Sequence, residues 1–164
     1  MPLWYGHFEG RSPRIRFQVA GTKGHPAELT AVVDTGFAGF LLIPQAMAEP
    51  HGLSPLGTTM ASLANGTRQP FPTALANVGY ANCTKMGVAL VLPGECHALV
   101  GIDFLRIFNL GLAMTHEALC LAPVAELGRF VDELRHGPQE GVAGRSRPKV
   151  SAVQTSTGST RSSA

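Results

Sequence analysis

The spacing of apolar and polar residues predicts that the folded part of the chain begins with two strands. In residues 14–19 the apolar Ile15, Phe17 and Val19 alternate with polar side chains, which is typical of a half-buried strand. Residues 21–26 supply a turn. Residues 27–33 predict a second strand, apolar enough near its end to be buried on both faces. The resulting hairpin ends directly at Asp34.

The central part of the chain predicts a short helix and a second hairpin. An apolar run at residues 40–43 leads into a helix over residues 44–49, with Pro44 in its first turn. Residues 58–63 and 73–78 predict two strands around Asn65 and Gly66, a dipeptide favoured in tight turns that need positive φ. Pro70 and Pro72 lack an amide proton for a sheet ladder, so the second arm is predicted at an edge.

The remaining elements complete an all-β domain with two or three short helices. Asp103 is predicted to cap a helix over residues 103–109. Further strands are predicted at residues 86–92, 110–114 and 118–121, and an amphipathic helix at residues 124–136. About seven or eight strands are expected, a number typical of small all-β domains.

Composition and charge divide the chain into a body and a tail. Its 164 residues, 15% charged and 45% hydrophobic, indicate one compact domain at residues 14–136, preceded by an N-terminal arm at residues 1–13. Residues 137–164 carry four Lys+Arg against one Asp+Glu and almost no large apolar residue, which predicts a disordered basic tail. No apolar stretch has the length of a membrane helix and no signal peptide is indicated, so a cytoplasmic location without membrane or nucleic-acid partners is expected.

Cysteine and histidine show no spacing typical of a metal site. Cys83, Cys96 and Cys120 are odd in number and widely separated, and no His pair accompanies them. The three thiols are therefore expected to be small buried hydrophobes, with no disulfide framework and no metal.

One acid stands out because it closes an apolar strand. Asp34 follows Val32 and Val33 and precedes Thr35 and Gly36. A carboxylate is costly to bury unless a backbone loop donates hydrogen bonds to it, and glycine allows such close approach. The tripeptide Asp-Thr-Gly alone is a weak signal, and by itself it favours a structural turn acid over a catalytic one.

The wider sequence resembles the retropepsin-like aspartic proteases, specifically their small prokaryotic Asp-Thr-Gly-Phe group. Residues 33–41, which include Phe37, resemble the family's active-site loop. Leu99, Val100 and Gly101 resemble its hydrophobic-hydrophobic-Gly element, and Asn65 and Gly66 fall where its flap lies. The resemblance covers about residues 14–122 and implies a closed β-barrel completed as a homodimer.

What the resemblance implies is an aspartic endopeptidase without a cofactor, acting on a protein or peptide substrate. This chemistry needs two carboxylates. Asp103 lacks a following Thr-Gly, so the second acid is expected to be Asp34 of a second copy. Thr35 would brace the two loops and Gly36 would allow close approach, while Phe37 and Ile102 depart from the retroviral pattern. A catalytically silent domain for dimerisation or peptide binding remains the alternative, and a structural barrel a third one.

Overall fold

The computed structural model describes residues 3–62, 66–128 and 131, and these residues are mostly β-strands. The strands are β1 (Trp4–Tyr5), β2 (His7–Glu9), β3 (Ser12–Ala20), β4 (Ala27–Val33), β5 (Leu41–Pro44), β6 (Gly57–Ser62), β7 (Arg68–Tyr80), β8 (Cys83–Leu92), β9 (Leu99–Val100), β10 (Leu110–Met114) and β11 (Leu119–Pro123). The helices are α1 (Gln45–Ala48) and α2 (Ile102–Phe108). The three strands beyond the predicted eight, β1, β2 and β9, have only two or three residues, too few to show a period.

Six strands close into a barrel. The larger sheet has the order β2-β3-β4-β9-β5-β8-β7-β6, and an additional pairing joins β3 to β7. In that pairing Val19 lies opposite Val78, and both side chains are fully buried. The ring from β3 round to β7 is therefore complete, which confirms the predicted closed barrel, while β2 and β6 extend outside it.

Strand β7 corrects one sequence prediction. Its first half carries Pro70 and Pro72 and pairs with β6, opposite Met60 and Thr58. From Thr73 onward the same strand pairs with β8, so the predicted edge position of residues 73–78 is wrong. The reason is the length of the strand, which runs for 13 residues. The prolines lie in its first half, where β6 is the only neighbouring strand, and so do not restrict the pairing of the second half with β8.

A smaller sheet of β1, β11 and β10 packs against the barrel. Its central strand β11 is buried on both faces, with Cys120 and Leu121 at most 2% exposed. On the outer side, the missing side chain of Gly111 leaves room for Leu127, from the helical segment 124–128. The predicted helix at residues 124–136 is helical over 124–128 and at 131. Its other residues and the tail lie outside the described residues.

The core is centred on Phe104 of α2. Its ring is fully buried and lies 4.8 Å from the ring of Phe108 and 5.6 Å from those of Phe17 and Phe40. Because α2 contributes this anchor, the helix is fixed against the barrel from which the Asp34 loop emerges. No helix in the described part of the chain is long and apolar enough to cross a membrane.

Candidate active site

The Asp34 loop is attached to a strand that arrives from a distant part of the sequence. Strand β9 lies between β4 and β5, parallel to β4 and antiparallel to β5. Val100 is therefore the partner of both Val33 and Leu41. The backbone N–H of Asp34 donates to the carbonyl of Val100 at 3.0 Å. The structure thus brings Leu99, Val100 and Gly101 directly beside the loop.

The carboxylate of Asp34 is oriented by the turn that follows it. The N–H of Gly36 donates to Asp34 Oδ1 at 2.8 Å, and the N–H of Phe37 donates to the Asp34 carbonyl at 3.1 Å. Thr35 and Gly36 are exposed, whereas Asp34 is only partly so. A hydrogen bond from an amide to an ionised carboxylate is stronger than a neutral one. One carboxylate oxygen is thus held while the side chain stays accessible to water.

Gly101 is the point of closest approach between the loop and the β9–α2 junction. A Cβ atom on Gly101 would lie 2.1 Å from the carbonyl oxygen of Phe37 and 2.6 Å from that of Gly39. This close approach allows the N–H of Ile102, the residue after Gly101, to donate to the Phe37 carbonyl at 2.9 Å. The loop and the start of α2 therefore form one hydrogen-bonded unit that only glycine permits.

The prediction that Asp103 caps its helix is wrong. The N-cap residue is Gly101, without a side-chain hydrogen bond, and Asp103 lies in the first turn of α2. The Asp103 N–H donates to the carbonyl of Ala38 at 3.1 Å, so the loop supplies the acceptor that a capping side chain ordinarily provides. The Asp103 carboxylate is exposed and lies 3.8 Å from Arg106 Nη1.

A cleft of about 700 Å³ begins at Gly36, two residues after Asp34. Its walls come from the loop, from β6, from β8 and from α2. The apolar side chains that project into it while remaining exposed are those of Met60, Met86, Val88 and Ile107. Sequence reasoning missed these residues. The signal available was the period-two spacing of Met86, Val88 and Leu90 along β8, whose intervening residues face the core.

The flap region is only partly described. Strand β6 is largely exposed, and its residues 59–62 form one wall of the cleft. Gly66 has φ +80°, in the left-handed region where glycine is favoured, and Asn65 lies outside the described residues. Phe71, which lies between Pro70 and Pro72 on β7, is buried and does not line the cleft.

The cysteines differ from their predicted environment. Cys83 and Cys96 are exposed, so their prediction as buried hydrophobes is wrong, and only Cys120 is buried. Burial raises the pKa of the Cys120 thiol. Cys83 is exposed because it begins β8 directly after the hairpin turn. Cys96 is exposed because it lies in the loop before β9. Among the described residues, no three His, Cys, Asp or Glu side chains are grouped so as to hold a metal ion.

Comparisons with known proteins agree with this architecture. Residues 20–107 match the family described as "gag-polyprotein putative aspartyl protease". A retropepsin-like aspartic protease from Rickettsia conorii is 14% identical, with a TM-score of 0.54 over 73% of this chain and 90% of that one. The EIAV protease complexed with the inhibitor HBY-793 is 13% identical, with a TM-score of 0.51 over 64% and 95%. The comparison with curated proteins gives no match.

The matched segment runs from the end of β3 to α2 and so includes the Asp34 loop, the β6–β7 hairpin, β9 and Gly101. It spans more than half of the chain, and the two structural likenesses reproduce the closed barrel. The chain therefore belongs to the gag-polyprotein aspartyl protease family and has the retropepsin-like fold.

Proposed function

We propose that this protein is an aspartic endopeptidase whose catalytic residue is Asp34. The observation that carries the proposal is the position of the Asp34 carboxylate, which is held through one oxygen by the N–H of Gly36, the residue at which an apolar cleft begins. In the proposed reaction, an ionised carboxylate takes a proton from water, and the oxygen of that water attacks the peptide carbonyl. A second, protonated carboxylate donates to the carbonyl oxygen, which gives a tetrahedral diol. The diol then collapses with cleavage of the C–N bond, and the departing amine nitrogen takes the proton that the first carboxylate received from water.

A second copy of the chain supplies the second carboxylate in this proposal. Asp34, Asp103 and Asp132 are the aspartates of the sequence, and Asp103 is on α2, paired with Arg106. Thr35 and Gly36 are exposed next to Asp34, so a two-fold partner has access to this loop. Within the described residues the Thr35 hydroxyl has no hydrogen bond in its own chain, which leaves it available to brace the partner's loop.

The cleft indicates the kind of substrate. An extended peptide under the β6–β7 hairpin would place side chains against Met60, Met86 and Val88, and methionine adapts to many apolar shapes. The proposed substrates are therefore peptides with apolar residues flanking the cleaved bond. The proposed reaction uses water and two carboxylates, without a metal or an organic cofactor.

The test is cleavage of an apolar peptide library by the wild type and by Asp34→Asn. The amide keeps the shape of the side chain but cannot accept the proton from water, so activity should fall by a factor on the order of a thousand or more. Melting temperature and sedimentation should stay close to the wild-type values. An Asp34→Asn protein as active as the wild type would overturn the assignment.

Asp103→Asn is the matched control. It removes an exposed carboxylate from the same cleft, and an exposed ion pair with Arg106 contributes little to stability. Activity within about twofold of the wild type is expected, because uncharged Asn fills the same space. If the wild-type dimer binds the library peptides but cleaves none, the alternative of a silent peptide-binding domain is correct.

A further inference from the structure

The side chain of Phe37 is packed against two glycines, Gly39 in its own loop and Gly101 at the start of α2. A Cβ atom added to Gly39 would lie 2.5 Å from Phe37 Cζ, and one added to Gly101 would lie 2.7 Å from Phe37 Cδ1. Neither glycine has positive φ, so the backbone conformation does not call for glycine at these positions. The ring occupies the space that side chains would otherwise fill.

The backbone of Phe37 is fixed from both sides. Its N–H donates to the carbonyl of Asp34, and its C=O accepts from Ile102, the first residue of α2. Since α2 is anchored in the core by Phe104, Phe37 connects the Asp34 turn to the rigid part of the molecule. Its neighbour Gly36 is the residue whose N–H donates to the Asp34 carboxylate.

We infer that Phe37 is a positioning residue: its ring, locked between Gly39 and Gly101, holds the Gly36 N–H in line with the Asp34 carboxylate. The packed ring prevents the turn from rotating about the two hydrogen bonds of Phe37. Phe37 also forms part of the cleft wall and is only partly exposed, so the ring keeps water off one side of the loop. The inference rests on the proposed function for its effect on catalysis, but its structural part is independent of activity.

The first experiment compares kcat and KM of the wild type, Phe37→Ala and Phe37→Leu. Misplacement of a catalytic group by about 1 Å can cost on the order of a hundredfold in rate, so Phe37→Ala should lower kcat about tenfold or more. Phe37→Leu should lower kcat less than Phe37→Ala does, because the leucine side chain fills much of the space of the phenylalanine ring. A kcat within about twofold of the wild type for Phe37→Ala would overturn the inference.

Phe8→Ala is the matched control, since Phe8 is another partly buried phenylalanine that packs on the core away from the cleft. It should lower the melting temperature without changing kcat. A similar loss of kcat in Phe8→Ala would mean that the Phe37 effect is only a loss of stability.

The second experiment is a double-variant cycle with Gly39→Ala, measured as the urea midpoint of unfolding. Alone, Gly39→Ala should lower the midpoint clearly, because its methyl group collides with the ring. In the Phe37→Ala background the same change should have little effect, because the ring is gone. Equal shifts of the midpoint in both backgrounds would show that the ring and Gly39 are not coupled.

The third measurement is the NMR signal of the Gly36 amide proton. In Phe37→Ala it should move upfield, toward its position in Asp34→Ala, as the hydrogen bond to the carboxylate loosens. An unmoved signal would contradict the positioning role. If the wild type cleaves no peptide, the proposed function fails while the unfolding cycle and this signal still decide the role of Phe37. If the wild type cleaves and Phe37→Ala keeps its kcat, only the role of Phe37 fails.

Discussion

Two carbonyl oxygens, of Phe37 and Gly39, fill the space where a side chain on Gly101 would lie. At the scale of single residues, the surroundings of Asp34 are therefore set by glycines: Gly36 donates to its carboxylate, and Gly101 lets α2 approach the loop. The motif around Gly101 is visible in the sequence. Its contact with Phe37 is not, because 64 positions of chain separate the two residues.

Gly101→Ala tests this close approach. Its methyl group would lie 2.1 Å from a backbone oxygen that cannot move without breaking the hydrogen bond to Ile102. We expect the free energy of unfolding in urea to fall by about 3 kcal/mol. Gly128→Ala is the control, because nothing lies within 4 Å of its added Cβ. This variant should be unchanged or more stable by up to about 1 kcal/mol, and an equal loss in both variants would contradict the account.

At the scale of elements, a buried histidine ties the short helix α1 to the barrel. The Nδ1 atom of His51 lies 2.7 Å from the carbonyl oxygen of Met47, and its Nε2 atom lies 3.4 Å from that of Glu28 on β4. The His51 carbonyl accepts from Gly21 at 2.8 Å, so a third segment meets at the same place. A four-residue helix has little stability of its own, and these contacts give it a fixed position.

His51→Ala should therefore lower the free energy of unfolding by about 1–3 kcal/mol, since the change removes the ring's hydrogen bond to the Met47 carbonyl and its packing between α1 and β4. Urea unfolding at neutral pH measures the difference. His116→Ala is the control, because His116 is exposed in a turn and its Nε2 atom lies 3.3 Å from Oε1 of its equally exposed neighbour Glu117. A loss for His116→Ala as large as that for His51→Ala would show that the effect is not specific to the tie between α1 and β4.

At the scale of the whole molecule, the proposed active site requires two chains. Each subunit would contribute one Asp34, so the proposed activity would depend on the dimer and not on the folded chain alone. Two carboxylates held close together do not both ionise easily, which favours activity on the acidic side of neutral.

Dilution tests the shared site. Specific activity on an apolar peptide should fall as the enzyme is diluted below the dimer dissociation constant, which sedimentation measures independently. Mixing wild type with an excess of Asp34→Asn should lower activity further, because mixed dimers carry only one acid. If activity stays proportional to enzyme concentration through the concentrations at which sedimentation finds only monomer, the shared-site model is wrong.

Much of the architecture follows from local patterns, for a physical reason. A strand that buries one face must alternate apolar and polar residues, so β3 and β4 were predicted almost to their observed ends. The apolar strand that ends in Asp34 and the glycine after it indicate the loop, and the wider run of residues 33–41 resembles that of the family. These features depend on neighbours in the sequence, which a single chain displays directly.

Other features were decided only by tertiary structure, because they depend on contacts between distant segments. Strand β9 has two residues, and nothing local shows that it inserts between β4 and β5. Asp103 was predicted as a cap, but the carbonyl of Ala38 already accepts its N–H. Local patterns were enough to predict the longer strands of the barrel and the acid at the end of β4. Only the folded chain determined that Phe37, Gly39 and Gly101 meet, because their contact exists only after β9 has paired.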